Sequence, residues 1–324
     1  MRPTTAAVLL LLVTLTAPPA RAADDGGEFE RLVPAGAKVE KLAGGMKFTE
    51  GPVWADGYLV FSDIPACRLM KWQEPGGLGV FRDESKVVDG KRDTSNAPNG
   101  NARDAEGRVI TCEHGYRRVT RTDPATGKSR VLVDRFNGKK FNSPNDLAVK
   151  SDGTVWFTDP PYGMGDNAKE QPGNYVYRLE PESKRVSVVV KGVEWPNGIC
   201  FSPDEKRLYV ANSGEDEPVI YAFDVKDDGA VGERKVFCRI DAGVPDGIRC
   251  DAEGRVWSSA ADGVHVFSAD GKRIGKVAVP EPVANLCFGG DDGTTLFITA
   301  RTSLYAVKTN VRGAGPPGTS GRTR

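Results

Sequence analysis

Histidine is nearly missing from this sequence: His114 and His265 are the only two in 324 residues. A tri-histidine zinc centre is therefore excluded, and any metal must be held mostly by oxygen. Net charge is missing too, with 44 Lys and Arg against 44 Asp and Glu. That balance argues against nucleic acid as the main partner, which would favour a basic excess. The six cysteines include no C-x-x-C pair, which weakens metal-thiolate and dithiol redox readings. No G-x-S-x-G elbow is present, and Ser213 follows Asn212 without an obvious partner, so a serine triad is not supported. No segment keeps a 3.6-residue hydrophobic period, which argues against helical bundles and doubly wound sheets. What remains is 39 % hydrophobic and 27 % charged, with 38 Gly and 22 Pro. Such a chain is globular rather than disordered, collagen-like or polytopic in a membrane.

The ends read differently from the middle. Arg2, an apolar run from Ala6 to about Thr16 and the Ala20-Arg21-Ala22 site describe a secretory signal over residues 1–22, cleaved after Ala22. The run is shorter than the roughly 20 apolar residues a spanning helix needs, and no second run is long enough. The expectation is an exported protein, periplasmic or extracellular, with no membrane contact after cleavage. Residues 310–324 read NVRGAGPPGTSGRTR, without a hydrophobic period, and are expected to form a flexible tail. Cys67, Cys112, Cys200, Cys238, Cys250 and Cys287 sit in apolar runs of a chain large enough to have its own core. They read as buried free thiols packing as small hydrophobes.

Between the ends one phrase recurs. Pro98-Asn99-Gly100, Pro144-Asn145-Asp146, Pro196-Asn197-Gly198 and Pro245-Asp246-Gly247 each precede a Gly- or Asp-containing turn and a Val/Trp/Tyr/Phe-rich run. Thr49-Glu50-Gly51 and Val283-Ala284-Asn285 are diverged copies. The middle residues fall at 50, 99, 145, 197, 246 and 284, a spacing near that of propeller blades. Four short runs per unit and six units predict an all-β, six-bladed propeller with four antiparallel strands per blade, over residues 23–309. The last unit lacks a fourth strand, which Lys38 to Leu42 could supply to close the ring.

In a propeller the first strand of each blade lines the central channel, so the six triplets gather at one mouth. Five of the middle residues (Glu50, Asn99, Asn145, Asn197 and Asp246) carry oxygen, and two are acidic; Ala284 is the sixth. This donor set suits Ca²⁺ or Mg²⁺, with Mn²⁺ also accommodated. Turn capping by Asn or Asp after Pro is the alternative, but it leaves Glu50 unexplained. The loops after each second strand return to the same mouth with Asp63, His114, Asp159, Asn212, Ser213, Asp262 and Arg301. His265, in a Val-His-Val strand, reads as structural.

Glu50-Gly-Pro-Val-Trp54, Pro98-Asn-Gly100, Cys112-Glu-His-Gly115, Ser143-Pro-Asn-Asp146, Phe157-Thr-Asp-Pro-Pro-Tyr-Gly163, Pro196-Asn-Gly198 and Pro245-Asp-Gly247 stand in family order. Over about residues 31 to 308 the chain resembles the gluconolactonase branch of the senescence-marker-protein/regucalcin-like propellers. The resemblance implies a six-bladed fold, one catalytic divalent cation in the channel mouth and hydrolysis of sugar lactones. The cation is usually Ca²⁺, with Mg²⁺, Mn²⁺ or Zn²⁺ as alternatives. Glu50, Asn197 and Asp246 match the family's core metal ligands, and Asn145 an asparagine that binds metal or substrate. Asp246 also matches the residue proposed as general base, and Asn99 and His114 match pocket residues. Regucalcin-type members carry an arginine where this chain has Ser143, so that mode of substrate recognition is absent.

Lactone hydrolysis needs carbonyl polarisation and an activated water, which a divalent cation and a separate base supply. Asp246 is the expected base, and His114 its competitor because an unperturbed imidazole titrates near 6.5. Asn99, His114, Asn145, Asp159 and Arg301 are the expected substrate contacts. The substrate is then a small-molecule lactone or ester. Cleavage of organophosphates or aryl esters at the same site is one alternative, and a non-catalytic Ca²⁺-binding propeller another.

Overall fold

The computed structural model of the chain describes residues 26–88, 91–93 and 95–315. The signal sequence expected over residues 1–22 lies outside them, as do residues 316–324. Six four-stranded antiparallel sheets follow one another as blades. Their innermost strands are Thr49–Trp54, Pro98–Arg103, Leu147–Val149, Pro196–Phe201, Ile248–Cys250 and Val283–Gly289. In five blades the strands run outward in chain order. Blade 6 takes its outermost strand from the other end of the chain: Glu40–Gly44 pairs with Ser303–Lys308, Glu40 opposite Ala306 and Gly44 opposite Ser303. The ring closes as the short last unit requires, two residues later than Lys38–Leu42.

Apolar wedges between blades hold the disc together. Between blades 3 and 4, Trp156, Val176, Ile199, Phe201, Leu208 and Val210 form one such cluster, with Trp156 edge-on to Phe201. Outside the blades, the helix Gly26–Leu32 packs on blade 5, where Phe29 covers Gly275 and Leu32 joins the core. Residues 310–315, which composition assigns to the tail, are tied down here. The Asn310 amide donates to the Leu32 carbonyl, the Ala314 amide to Cys250, and Val311 is buried.

The recurring triplets mark where the inner strands bulge. Pairing with the second strand slips between Glu50 and Val53, between Pro98 and Asn101, and between Pro196 and Ile199. A bulge re-aims one side chain out of the ladder, which here turns the middle residue toward the channel. The glycine that follows permits close approach of the next blade. A Cβ on Gly198 would lie 2.1 Å from the Asp246 carbonyl, and one on Gly100 2.5 Å from that of Asn145. Their amides donate to those same carbonyls, at 3.0 and 2.8 Å.

All six cysteines are buried and unbonded, including Cys200 and Cys250, whose sulfurs are 3.8 Å apart. Burial holds the thiols of Cys67, Cys112 and Cys287 above their usual range, the last up to about 12. A thiol-specific reagent is therefore expected to label no cysteine of the native protein and six after denaturation without reductant. A count of four after denaturation would show a disulfide instead.

Candidate active site at the channel mouth

Along one arc of the mouth, side chains from four successive blades touch in sequence. The Asn99 amide donates to Asn145 Oδ1, and the Asn145 amide to Asn197 Oδ1. His114 Nε2 lies 2.9 Å from both Asn99 Nδ2 and Asn145 Oδ1. Asn197 continues the arc by donating to Ser213 Oγ at 3.0 Å and by hydrogen-bonding the Asp246 carboxylate. Glu50 completes the group from blade 1, held by its own Gly51 amide at 2.5 Å and by Asn285 Nδ2 at 2.9 Å.

Below this ring a second layer fills the channel. Arg249 Nη1 is 3.3 Å from Asp146 Oδ2, and Asn285 Nδ2 is 3.5 Å from the same oxygen. Three carboxylates, Glu50, Asp146 and Asp246, thus lie within electrostatic reach of one another, and Arg249 is the cation paired among them. Burial first, then the repulsion of Asp146, raises the Glu50 carboxyl to about 7. Burial and the charge of Glu50 raise Asp246 well above the usual carboxylate range. Buried carboxylates are costly unless neutralised, and one guanidinium among three carboxylates leaves the group with excess negative charge when all are ionised. Among the described residues no three His, Cys, Asp or Glu side chains form a metal cluster. The oxygen donors of this group are two carboxylates and the amide oxygens of Asn145 and Asn197, which also accept hydrogen bonds along the arc. Their hardness fits Ca²⁺ or a similar divalent ion.

His114 is almost wholly buried, and burial lowers its imidazole to about 4. It is a neutral hydrogen-bonding group near pH 7, locked between two amides and roofed by Gly163. A Cβ there would meet the His114 Cβ at 2.3 Å. Neighbouring Glu113 does not face the mouth, because its carboxylate takes hydrogen bonds from Arg82, Arg118 and Thr120.

The other residues expected at the mouth are placed differently. Asp159 is fully buried, its Oδ2 accepting the Asn142 amide at 2.8 Å, and burial raises its carboxyl to about 7. It fixes the backbone that leads into Pro144 and Asn145 and makes no described contact with the arc. Arg301 occupies an exposed turn at φ 42°, where its carbonyl accepts the Thr49 amide at 2.7 Å. Asp63 accepts the amides of Lys47 and Phe48 and steadies the approach to Glu50. Asp262 pairs with Lys276 and with His265 Nε2, so His265 has structural partners.

Four residues of the site escaped the sequence reading. Asn285 takes the inward position in blade 6 because the register slips between Val283 and Asn285, one residue past Ala284. Asp146 was visible as the one departure from Gly or Asn at the third place of the phrase. Arg249 stands three residues after Asp246, where the three preceding units have Ala102, Ala148 and Cys200. Tyr162 had no spacing signal at all. It stacks on Trp195 with ring centroids 5.5 Å apart and hydrogen-bonds Ser213 and Asn197.

The sequence matches the family profile described as SMP-30/Gluconolactonase/LRE-like region over residues 48–302. It is 33 % identical over 304 residues to a gluconolactonase of Zymomonas mobilis, covering 88 % of this chain and 85 % of that protein. A pentonolactonase of Haloferax volcanii is 30 % identical over 260 residues, covering 77 % and 80 %. The solved structure of a gluconolactonase from Xanthomonas campestris superposes with a TM-score of 0.78 at 36 % identity, covering 87 % of this chain and 92 % of that one.

Proposed function

The chain belongs to the SMP-30/gluconolactonase/LRE-like family, and from that premise we propose that it is a lactonase opening sugar lactones at the channel mouth with a divalent cation. The observation that carries the site assignment is the pair of buried carboxylates, Glu50 and Asp246, which lie near a third carboxylate, Asp146, with the single guanidinium of Arg249 paired to that third one, beside an arc of amides. Glu50, Asn145, Asn197 and Asp246 would hold the cation, Ca²⁺ being the best match to their oxygen donors. Bound there, it would polarise the lactone carbonyl and offset charge on the developing oxyanion.

The remaining work falls to the chain. Asp246, with Asn197 bonded to its carboxylate, would take a proton from the attacking water. His114 stays neutral and, with Asn99, offers hydrogen bonds to substrate hydroxyls rather than a base. Asn145 spans the two groups, touching His114 on one side and Asn197 on the other. Export of the protein, to the periplasm or beyond the cell, is part of the same proposal and rests on the sequence of residues 1–22.

The test is a substrate panel with purified protein and added Ca²⁺. Acid release from glucono-1,5-lactone is expected, well above turnover of a phosphotriester or an aryl ester. Turnover of the esters with none of the lactone would replace this reading, and cation binding without turnover would leave a binding protein.

A further inference from the structure

The wall of the mouth between blades 3 and 4 is aromatic, and it is built with care. Ser143 stands at its base. The Ser143 hydroxyl donates to the Pro160 carbonyl at 2.6 Å and accepts the Gly163 amide at 2.9 Å. The segment 160–163 is thereby clamped at both ends, and Gly163 is pressed on His114. Between the clamps Tyr162 is held at three points. One ring face lies on Trp195, with planes inclined by 21°, and the phenol is bonded to Ser213 and Asn197. Trp195 is fixed in turn, its amide donating to Asn212 Oδ1 at 2.9 Å. Nevertheless 42 % of Tyr162 remains exposed, although its phenol reaches the arc of site residues.

A large ring, immobilised by neighbours and left open on one side next to a polar floor, is unusual on a surface. An exposed tyrosine held only for packing would need neither the stack nor the clamp. Resting on the lactonase reading above, we propose that Tyr162, backed by Trp195 and positioned by Ser143, is the platform that selects polyhydroxylated ring lactones. A hydroxylated ring has a polar edge and an apolar C–H face. The edge meets the amide and imidazole floor of Asn99, His114 and Asn145, and the face lies on the open side of Tyr162. The platform is an uncharged aromatic face beside buried carboxylates, so an uncharged ring is favoured over an anionic substrate.

The test uses full-length protein and two ring analogues that cannot be hydrolysed: glucono-1,5-lactam, and δ-valerolactam as its counterpart without hydroxyls. Calorimetry should show the first binding and the second at least tenfold weaker. Tyr162→Ala should weaken binding of the first about tenfold and raise KM for glucono-1,5-lactone to match, with kcat little changed. Tyr162→Phe keeps the ring and should stay within threefold, and Trp195→Ala should fall between. Both variants lose the phenol's bond to Asn197, a proposed cation ligand, so Ca²⁺ affinity should be the same in Tyr162→Ala and Tyr162→Phe while lactam binding differs between them. Unchanged lactam binding in Tyr162→Ala would overturn the proposal. So would a Ca²⁺ affinity lower in Tyr162→Ala than in Tyr162→Phe, which would mark a structural role of the ring. Lactam binding that depends on Tyr162 in a protein that opens no lactone would keep the platform and remove the lactonase reading. No lactam binding by the wild type would remove the platform whatever the turnover.

Discussion

Asp246→Asn is expected to lower kcat for lactone opening by a thousandfold or more while leaving the metal-free protein as stable as before, or more so. The loss has two sources. A general base contributes about 10²–10⁴ in rate, and the same carboxylate supplies half of the negative charge assigned to the cation. The stability effect has the opposite sign. In the metal-free protein Asp246 is buried near Glu50 and Asp146, and both repel its ionised form. A neutral amide of the same shape removes that repulsion and keeps a partner for Asn197. Thermal unfolding and steady-state kinetics on one preparation separate the two effects. His114→Gln is the comparison: its imidazole is held near 4 by burial and tied to two amides, so its loss should cost roughly ten- to a hundredfold. If Asp246→Asn kept more than a tenth of wild-type turnover and His114→Gln lost it all, the base would be the histidine.

The gathering of these residues at the channel mouth is legible in the sequence for a structural reason. Each glycine of the recurring phrase faces the backbone of the next blade at a distance no Cβ tolerates, so the phrase recurs wherever two inner strands meet. The residue before it bulges into the channel, and Asn99, Asn145, Asn197, Asp246 and Glu50 could be named from spacing alone. Where the local geometry departs from the phrase, spacing fails. Blade 6 slips register by one, so Asn285 rather than Ala284 reaches Glu50. The loop residues were harder still. Asp159 and Arg301 do sit near the ends of their second strands, but direction in a loop is set by hydrogen bonds with residues far along the chain. Asp159 turns to the Asn142 amide, and Arg301 presents its carbonyl to Thr49. The Asp146–Arg249 pair joins residues 103 apart and could not be read from either neighbourhood.

Those buried carboxylates make the response to cation depend on pH in a direction that can be stated in advance. Removing divalent cation with a chelator should abolish lactone turnover, and adding Ca²⁺ should restore it. Ca²⁺ should also raise the melting temperature, and by more at pH 8 than at pH 5.5. Glu50 is raised to about 7 in the folded metal-free protein, against about 4.5 when unfolded. Between those values the folded state holds a proton that the unfolded state has lost, so this group's contribution to stability falls as pH rises. A displacement of that size corresponds to about 3 kcal/mol, fully expressed above pH 7. Asp246 acts in the same direction. A cation that takes the place of those protons cancels the penalty at pH 8, whereas at pH 5.5 it must first displace them. Two other groups prevent the raw stability profile from testing this. Asp159, also raised to about 7, contributes the same sign but lies apart from the cation donors. His114, lowered to about 4, contributes the opposite sign between pH 4 and 6.5, because the unfolded imidazole gains a proton that the folded one refuses. The difference between melting temperatures with and without Ca²⁺ isolates the donors, since neither of these two groups is assigned to the cation. Glu50→Gln should shrink that difference and flatten its pH dependence while raising metal-free stability at pH 8. A Ca²⁺ shift of equal size at both pH values, or turnover that survives chelation, would remove Glu50 and Asp246 from the cation site.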